Sequence, residues 1–198
     1  MGFTHKIIHN FLTKKECELL LNFSLENFTL EPSEVMKDEK NNTDEHIISK
    51  QRKSSQKFYP YYNDYPFLLD KINNLVETYI QVKGHDLDYK KEPFQFTEYK
   101  IGDYFNWHTD SNYKSKDSTI ASRYCSLVIQ LNDEYTDGVL EVKISDDETI
   151  VVEKGVGNLI IFLSELRHRV IPVATGTRYT LVNWISIKPK ENYKKTLL

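Results

Sequence analysis

The stretch NLIIFLSELRHRVIPVATGTRYTLVNWISI, residues 158–187, sets the architecture that the sequence predicts. It contains three runs rich in β-branched and aromatic residues, at 158–163, 169–173 and 178–187. Runs of this length and composition predict β-strands. The tripeptide Thr175-Gly176-Thr177 predicts a turn before the last of them. Three consecutive strands are therefore expected, and the last is the longest.

The strand pattern extends back from this stretch to Pro93. Four further runs of the same kind are separated by turn signals that contain glycine or paired aspartates. The runs are 94–100, 124–132, 139–144 and 149–153, and the turns are Asp137-Gly138, Asp146-Asp147 and Gly155-Val156-Gly157. Short strands at such spacing are typical of a β-sandwich or barrel. The content of 13 Tyr and 10 Phe favours the same β-rich class over a helical bundle.

Two helices are predicted before these strands. Thr13 and Glu16 have the spacing of a capping box, which predicts a helix over 13–26. A second helix is predicted over 66–82, where Pro66 suits the first turn. Its apolar side chains recur at helical spacing and form one stripe. The stripe consists of Phe67, Leu68, Ile72, Leu75, Val76, Tyr79 and Ile80.

Two charged segments have no predicted place in the core. Residues 31–57 are dense in charge and poor in large apolar residues, which leaves a mobile lid and a plain solvated linker as equal alternatives. Within them, the basic run from Lys50 to Lys53 is expected to be solvated, with contact to an acidic partner as the alternative. The basic tail at 188–198 is expected to fray.

The composition excludes several classes of protein. At 198 residues the chain can bury a sizeable core in one domain. A net charge of −3 and a pI near 6.1 give no reason to expect nucleic-acid or membrane binding. No run reaches the roughly 18 apolar residues of a membrane span, and the first residues lack the apolar run of a signal peptide. Cys17 and Cys125 cannot build a disulfide framework or a zinc site, so we expect buried free thiols and a cytoplasmic location.

Two histidines and an aspartate are candidate metal ligands. His108 and Asp110 are two residues apart, so in an extended strand both side chains would point to the same side. His168 follows an apolar strand. Two imidazoles and one carboxylate can occupy one face of a metal ion, as in non-haem Fe(II) oxygenases. The other histidines have no partner at metal spacing and receive no role; they are His5, His9, His46 and His85.

Two motifs around these ligands resemble a known family. The first is Tyr99-x-x-Gly102-x-x-Phe105-x-x-His108-x-Asp110, and the second runs from His168 through Arg178 to Trp184. Together they resemble the prolyl 4-hydroxylase-like 2-oxoglutarate- and Fe(II)-dependent dioxygenases. They are most similar to the bacterial and phage branch, in which arginine replaces lysine. The resemblance covers residues 93–187, and Arg52-Lys-Ser54 is a candidate for an earlier family element.

The resemblance implies a mostly β fold with flanking helices, whose core is a double-stranded β-helix, or jelly roll. It implies one domain, with a helical part over 1–92, the core over 93–187 and the basic tail at 188–198. A distance argument supports the jelly roll. In a simple hairpin, His168 and Arg178 would stand on the order of 17 Å apart, too far for 2-oxoglutarate to bridge. Their strands are therefore expected on opposing sheets about 10 Å apart.

The resemblance also implies roles for individual residues. His108, Asp110 and His168 would hold Fe(II) and form the catalytic centre. Arg178 would bind the distal carboxylate of 2-oxoglutarate, because a guanidinium is always charged and binds a carboxylate with two hydrogen bonds. Ascorbate is an optional further reductant. Three residues match positions beside the co-substrate, with ordinary core packing as the alternative: Tyr99, Ser126 and Trp184.

The expected function is therefore hydroxylation of a peptidyl residue such as proline, coupled to oxidative decarboxylation of 2-oxoglutarate. Three positions depart from the family pattern: Asp137-Gly138 holds one glycine instead of two, Phe105 replaces tyrosine, and Ser186 replaces a larger polar residue. The last departure weakens the case for proline. Alternatives are a hydroxylase of a free amino acid or another small molecule, and a non-catalytic cupin-like metal-binding module. Arg178 argues against the module, since a structural metal site needs no carboxylate clamp.

Overall fold

The computed structural model describes residues 3–33, 50–59, 66–80, 82, 85–88, 92–111 and 122–189. Two complete helices lie in these ranges, α1 (Lys14–Asn27) and α2 (Pro66–Tyr79), and residues 50 and 51 are helical as well. The strands are β1 (His5–Ile8), β2 (Glu31–Pro32), β3 (Arg52–Lys53), β4 (Ser55–Phe58), β5 (His85–Asp88), β6 (Gln95–Tyr99), β7 (Tyr104–His108), β8 (Ser122–Gln130), β9 (Tyr135–Asp137), β10 (Leu140–Lys143), β11 (Thr149–Val151), β12 (Leu159–Leu163), β13 (His168–Val170), β14 (Val173–Gly176) and β15 (Arg178–Pro189).

The strands form two principal antiparallel sheets. The major sheet has the order β1-β12-β8-β15-β6-β4-β2, and β5 also pairs with β15. The minor sheet has the order β11-β10-β13-β7-β3, and β14 and β9 form a separate two-stranded ribbon. Apolar side chains of both sheets, such as Phe162 and Val142, share one buried cluster. This arrangement confirms the predicted jelly-roll core with flanking helices.

The helices cover the outer face of the major sheet. Leu20 of α1 and Ile72 of α2 are fully buried in one cluster with Leu181 and Ile185 of β15. Burying a leucine or isoleucine side chain contributes about 1.5–3 kcal/mol each, so this layer is a major source of stability. Because side chains alternate along a strand, Thr180, Val182 and Trp184 of β15 point into the space between the two sheets.

The helix predictions hold with small shifts at the ends. In α1, Thr13 Oγ1 accepts a hydrogen bond from the Glu16 N–H at 3.2 Å, and Glu16 Oε2 accepts one from the Thr13 N–H at 2.7 Å. The predicted capping box is therefore confirmed. Helix α2 ends at Tyr79, three residues earlier than predicted. Tyr79 is also 42% exposed, because its ring lies beneath Lys6 Nζ and not within the core.

The prediction that residues 31–57 form a mobile lid or a solvated linker was wrong for residues 50–57. Residues 50 and 51 are helical, β3 joins the minor sheet, and residues 55–57 belong to β4, which joins the major sheet. Arg52 is buried, so the basic run is not uniformly solvated. Strand pairing with neighbours distant in sequence explains the error, because two- to four-residue strands carry little periodic signal. The part of this segment at 34–49 lies outside the described residues.

The link before β15 also differs from the prediction. Thr175 and Gly176 belong to β14, which pairs with β9, so no hairpin turn joins β13 to β15. His168 and Arg178 consequently lie on opposing sheets, as the distance argument required. Strand β15 continues into the predicted tail as far as Pro189, and residues 190–198 lie outside the described ranges.

Further sequence predictions concern the thiols and the membrane. Cys17 and Cys125 are free and buried, as expected. No helix within the described part of the chain is long and apolar enough to cross a membrane.

Candidate metal centre and active-site cavity

Three potential ligands meet where β7 and β13 pair in the minor sheet. His108, the last residue of β7, lies directly opposite His168, the first residue of β13. Asp110 follows two residues after the end of β7, so it does not share an extended strand with His108 as predicted. A backbone contact fixes it instead, because its N–H donates to the Ser164 carbonyl at 2.9 Å.

The distances within this cluster suit one metal ion. His108 Nε2 lies 3.8 Å from Asp110 Oδ1, and His168 Nε2 lies 3.5 Å from Asp110 Oδ2. One ligand atom from each of the three residues lies within 4.8 Å of the others. Two metal–ligand bonds of about 2.1 Å can bridge up to about 4.2 Å, so each imidazole can share an ion with the carboxylate.

Hydrogen bonds fix the orientation of both imidazoles. His108 Nδ1 lies 2.8 Å from the Asn106 carbonyl oxygen, and His168 Nδ1 lies 3.0 Å from the Leu166 carbonyl oxygen. A carbonyl oxygen can only accept, so each Nδ1 must carry the proton and donate it. Each Nε2 then presents a lone pair to the cluster, which is how proteins prepare histidine for a metal.

Asp110 is held by two side-chain donors. Its Oδ2 accepts hydrogen bonds from Ser126 Oγ at 2.7 Å and from Trp184 Nε1 at 2.9 Å. The Ser126 proton is thereby used, so Ser164 Oγ must donate to Ser126 Oγ across their 2.9 Å contact. Ser126 and Trp184 thus support a candidate ligand, while their predicted contact with the co-substrate stays a prediction.

The surroundings of His108 and Asp110 favour the protonation states that metal binding needs. Burial lowers the pKa of His108 to about 3, and the nearby charge of His168 acts in the same direction. For Asp110, burial acts to raise the pKa, but the two histidines and the hydrogen bonds from Ser126 and Trp184 outweigh it and lower the pKa to about 2. At neutral pH the imidazole of His108 is therefore neutral and the carboxylate is ionised, as metal binding requires.

A cavity of about 300 Å³ opens from this cluster between the two sheets. The three candidate ligands, Tyr99, Arg178 and Trp184 are among the residues that line it. Arg178 is 2% exposed, and its Cζ lies 5.2 Å from the centre of the ring of Tyr99, its partner in register on β6. The cavity thus has potential metal ligands on one wall and a guanidinium on the other.

Arg178 has no counter-ion among the residues that the structure describes. None of their carboxylates lies within ion-pair distance of its guanidinium, and its buried Nε has no hydrogen-bond partner. A buried charge without a partner is costly. The position therefore fits an anionic ligand, and a guanidinium favours a carboxylate that can accept two parallel hydrogen bonds.

Comparison with known proteins identifies a family whose model matches part of the chain. Residues 94–186 match the family model of the 2OG-Fe(II) oxygenase superfamily. The match spans slightly less than half of the chain, and with the relatives below it supports a prolyl 4-hydroxylase-like 2-oxoglutarate oxygenase. The matched region contains every residue to which the sequence assigned a role at the site. Together, the family and the His/Asp/His cluster support Fe(II) as the metal and 2-oxoglutarate as the co-substrate.

One curated protein similar to this chain is a PKHD-type hydroxylase of Synechococcus sp. (strain CC9605). The two are 25% identical over 131 residues, which cover 64% of this chain and 58% of the relative. The chain thus matches little more than half the length of that protein.

Solved structures share the fold of this chain. A prolyl-4-hydroxylase of Pseudomonas putida superimposes with a TM-score of 0.67, at 20% identity, over 93% of this chain and 92% of its own. A prolyl hydroxylase of Trichoplax adhaerens, in complex with a peptide fragment of the hypoxia inducible factor oxygen degradation domain, has a TM-score of 0.68 at 15% identity. That match covers 98% of this chain and 86% of the other.

One residue at the site was not found from the sequence, and a second was named without a place in the site. Ser164 directly follows the predicted strand at 158–163, but nothing in its neighbourhood signals a contact with Asp110. Arg52 was a candidate for an earlier family element and also part of a run expected to be solvated, and its burial in the cavity depends on pairing between β3 and β7. Both roles arise from tertiary contacts that local sequence does not reveal.

Proposed function

We propose that this oxygenase hydroxylates an unactivated C–H bond of a peptidyl residue such as proline, coupled to oxidative decarboxylation of 2-oxoglutarate. The observation that carries this proposal is the pairing of two features in one cavity. One wall holds His108, Asp110 and His168 at metal-binding distances, and another holds the guanidinium of Arg178, which has no counter-ion within the described ranges.

Each of these side chains has a defined task in the proposed reaction. His108, Asp110 and His168 would hold Fe(II), which supplies the activation of dioxygen when it is bound. Arg178 would bind the distal carboxylate of 2-oxoglutarate and so fix the orientation of the co-substrate. Tyr99 packs against that guanidinium and closes the wall behind it. Apolar residues that line the cavity, such as Val170, exclude water from the reacting groups.

The proposed substrate class is argued from a protein of similar fold and from the opening of the cavity. The Trichoplax adhaerens enzyme of similar fold binds a peptide, which supports a peptide for this chain as well. Phe58 lines the cavity and is 41% exposed, so the cavity reaches the surface at β4, where a longer molecule can enter. A free amino acid or another small molecule is the second candidate, and ascorbate as an additional reductant stays a prediction.

Anaerobic titration tests the chemistry directly. Addition of Fe(II) and then 2-oxoglutarate to the protein is expected to produce the weak visible charge-transfer band of a chelated co-substrate. On admission of oxygen, succinate is expected to form. Arg178→Met should abolish both signals at moderate 2-oxoglutarate concentration, while Arg167→Gln, which removes an exposed guanidinium, should preserve them. If the unaltered protein gives neither a band nor succinate, the proposal is wrong and a non-catalytic metal-binding module is favoured.

Mass spectrometry then tests the substrate class. Proline-containing peptides and free amino acids, incubated with the Fe(II)-loaded protein and 2-oxoglutarate, are compared for a gain of one oxygen atom. A gain only among the free amino acids would replace the peptide with the small-molecule alternative.

A further inference from the structure

A second buried arginine faces the same cavity from the other sheet. Arg52 on β3 is 8% exposed and lines the cavity. Its Cζ lies 4.6 Å from the ring centre of Phe105, its partner in register on β7. The Phe105 ring in turn stacks on His108, with 3.4 Å between the ring centres. The guanidinium is therefore held on the minor-sheet wall, one aromatic ring away from a candidate metal ligand.

The hydrogen bonds of Arg52 leave its charge uncompensated. Its Nε donates to Ser54 Oγ at 2.8 Å, and Ser54 Oγ donates to Ser33 Oγ at 2.8 Å. Both partners are neutral hydroxyls. Across the ranges that the structure describes, no carboxylate lies within ion-pair distance of Arg52. By contrast, Arg123, which also lines the cavity, forms an ion pair with Glu92.

A count of charges in the loaded site shows that the charge of Arg178 is balanced and the charge of Arg52 is not. With Fe(II) and the dianion of 2-oxoglutarate bound, the charges of the metal, the co-substrate, Asp110 and Arg178 cancel. The charge of Arg52 is then left over in a largely enclosed site. Low-dielectric surroundings strengthen the attraction of such a cation for an anion and make an unpaired cation costly. The loaded site therefore favours one further negative charge.

A polar acceptor four residues further along the chain lines the same cavity. Gln56 lies on β4, and its buried Oε1 has no hydrogen-bond partner among the residues that the structure describes. An unpaired buried carbonyl-type oxygen favours a ligand with an N–H donor. Arg52 and Gln56 thus offer complementary groups to a molecule that carries a carboxylate and an N–H close together.

We propose that Arg52 is a second carboxylate-binding position, which takes an anionic group of the substrate while Arg178 takes the co-substrate. Gln56 accepts a hydrogen bond from an N–H beside that group. The substrate class is then an acid-bearing one: an acidic residue or carboxy-terminal residue of a peptide, or a free amino acid. This inference rests on the proposed function, because Arg52 lacks a ligand only if Arg178 binds 2-oxoglutarate.

The test uses two small probes that differ only in charge. N-acetyl-L-alanine and N-acetyl-L-alaninamide both carry an N–H, but only the first carries a carboxylate. Each is titrated into protein loaded with Mn(II), as an inert substitute for Fe(II), and saturating 2-oxoglutarate. Paramagnetic broadening of the probe's NMR lines reports binding near the metal. The acid is expected to bind about tenfold tighter than the amide or more, because it makes a charge-assisted hydrogen bond.

Variants assign that preference to Arg52. Arg52→Met should reduce the ratio between acid and amide to about two or less, and Arg52→Lys should retain most of it because it keeps the charge. Lys57→Met removes a cation that pairs with Glu31 at the surface, and it should leave the ratio unchanged. The affinity for 2-oxoglutarate should stay within about twofold in all three variants, since additivity holds for separate sites. The comparison of acid binding with amide binding in the unaltered protein tests the inference even if no variant folds.

Three results would overturn the inference. The first is equal binding of acid and amide, or no broadening of either, in the unaltered protein. The second is acid binding that only displaces 2-oxoglutarate. The third is an Arg52→Met variant that loses affinity for 2-oxoglutarate more than about tenfold, which would assign Arg52 to the co-substrate. Failure of the unaltered protein to bind Mn(II) and 2-oxoglutarate at all would instead refute the proposed function.

Discussion

Replacement of Trp184 by phenylalanine should weaken metal binding without disturbing the core. The change removes one donor to Asp110 Oδ2, the 2.9 Å hydrogen bond from Nε1. It keeps an aromatic ring beneath Arg123, whose Cζ lies 3.7 Å from the ring centre of Trp184. A hydrogen bond to a buried charged group contributes about 1.5–3 kcal/mol. That range corresponds to a loss of about 10- to 100-fold in metal affinity, which is also the usual effect of removing such a supporting partner.

Competition of Mn(II) or Fe(II) with a chromophoric chelator measures this loss under anaerobic conditions. Ser126→Ala removes the other donor to the same oxygen, at 2.7 Å, and should have a comparable effect. The double variant should lose more affinity than the sum of the single losses, because Oδ2 is then left without a side-chain donor. Trp107→Phe, which changes the other tryptophan of the chain, is the matched control. Unchanged metal affinity in both Trp184→Phe and Ser126→Ala would refute the supporting role of these hydrogen bonds.

Three further predictions concern ligand, pH and backbone. Arg178→Met should weaken 2-oxoglutarate binding by about 100-fold while metal affinity stays the same, and calorimetry on the Mn(II)-loaded protein checks both. In the metal-free protein the pKa of His108 is lowered from 6.5 to about 3, so the unfolded chain binds more protons in that window. The free energy of unfolding should therefore reach its full value above pH 6.5 and decrease as the pH falls towards about 3. Urea midpoints measured over this pH range should decrease less in the His108→Asn variant. Gly157→Ala should cost about 2 kcal/mol or more, because φ is +79° and a Cβ would lie 1.9 Å from the Leu12 carbonyl oxygen. Gly102→Ala, with φ +78° and no atom within 4 Å of the added Cβ, should cost less in the same thermal melts.

The long elements and the candidate ligands were predictable from local sequence. Strand β15 and helix α2 carry many apolar residues at one period, so their pattern outweighs chance. The ligands were found because two motifs around them, in the right order, resemble a known family. The sequence placed Asp110 on a strand with His108, and the structure places it beyond the strand end, held by the Ser164 carbonyl. The chemistry was thus predicted by residue type, while the geometry depended on a contact 54 positions away in the chain.

Short strands and buried charges could not be predicted in the same way. Strand β3 has two residues and exists because Arg52 and Lys53 pair with Phe105 and Tyr104 of β7. A sequence window around Arg52 contains mostly charged and polar residues, which is the composition of a solvated loop. Burial of that arginine follows only once both sheets are assembled. Tertiary pairing therefore determines which charges in this chain enter the cavity.

The cross-strand pairing of His108 with His168 has a consequence for maturation of the protein. Slippage of β13 by one residue along β7 would turn His168 to the opposite face and remove one imidazole from the cluster. Only a chain with the native register can then capture the ion. Binding of iron would therefore select the chain with the native register during folding. It would also stabilise that form, by an amount that increases with the free metal concentration.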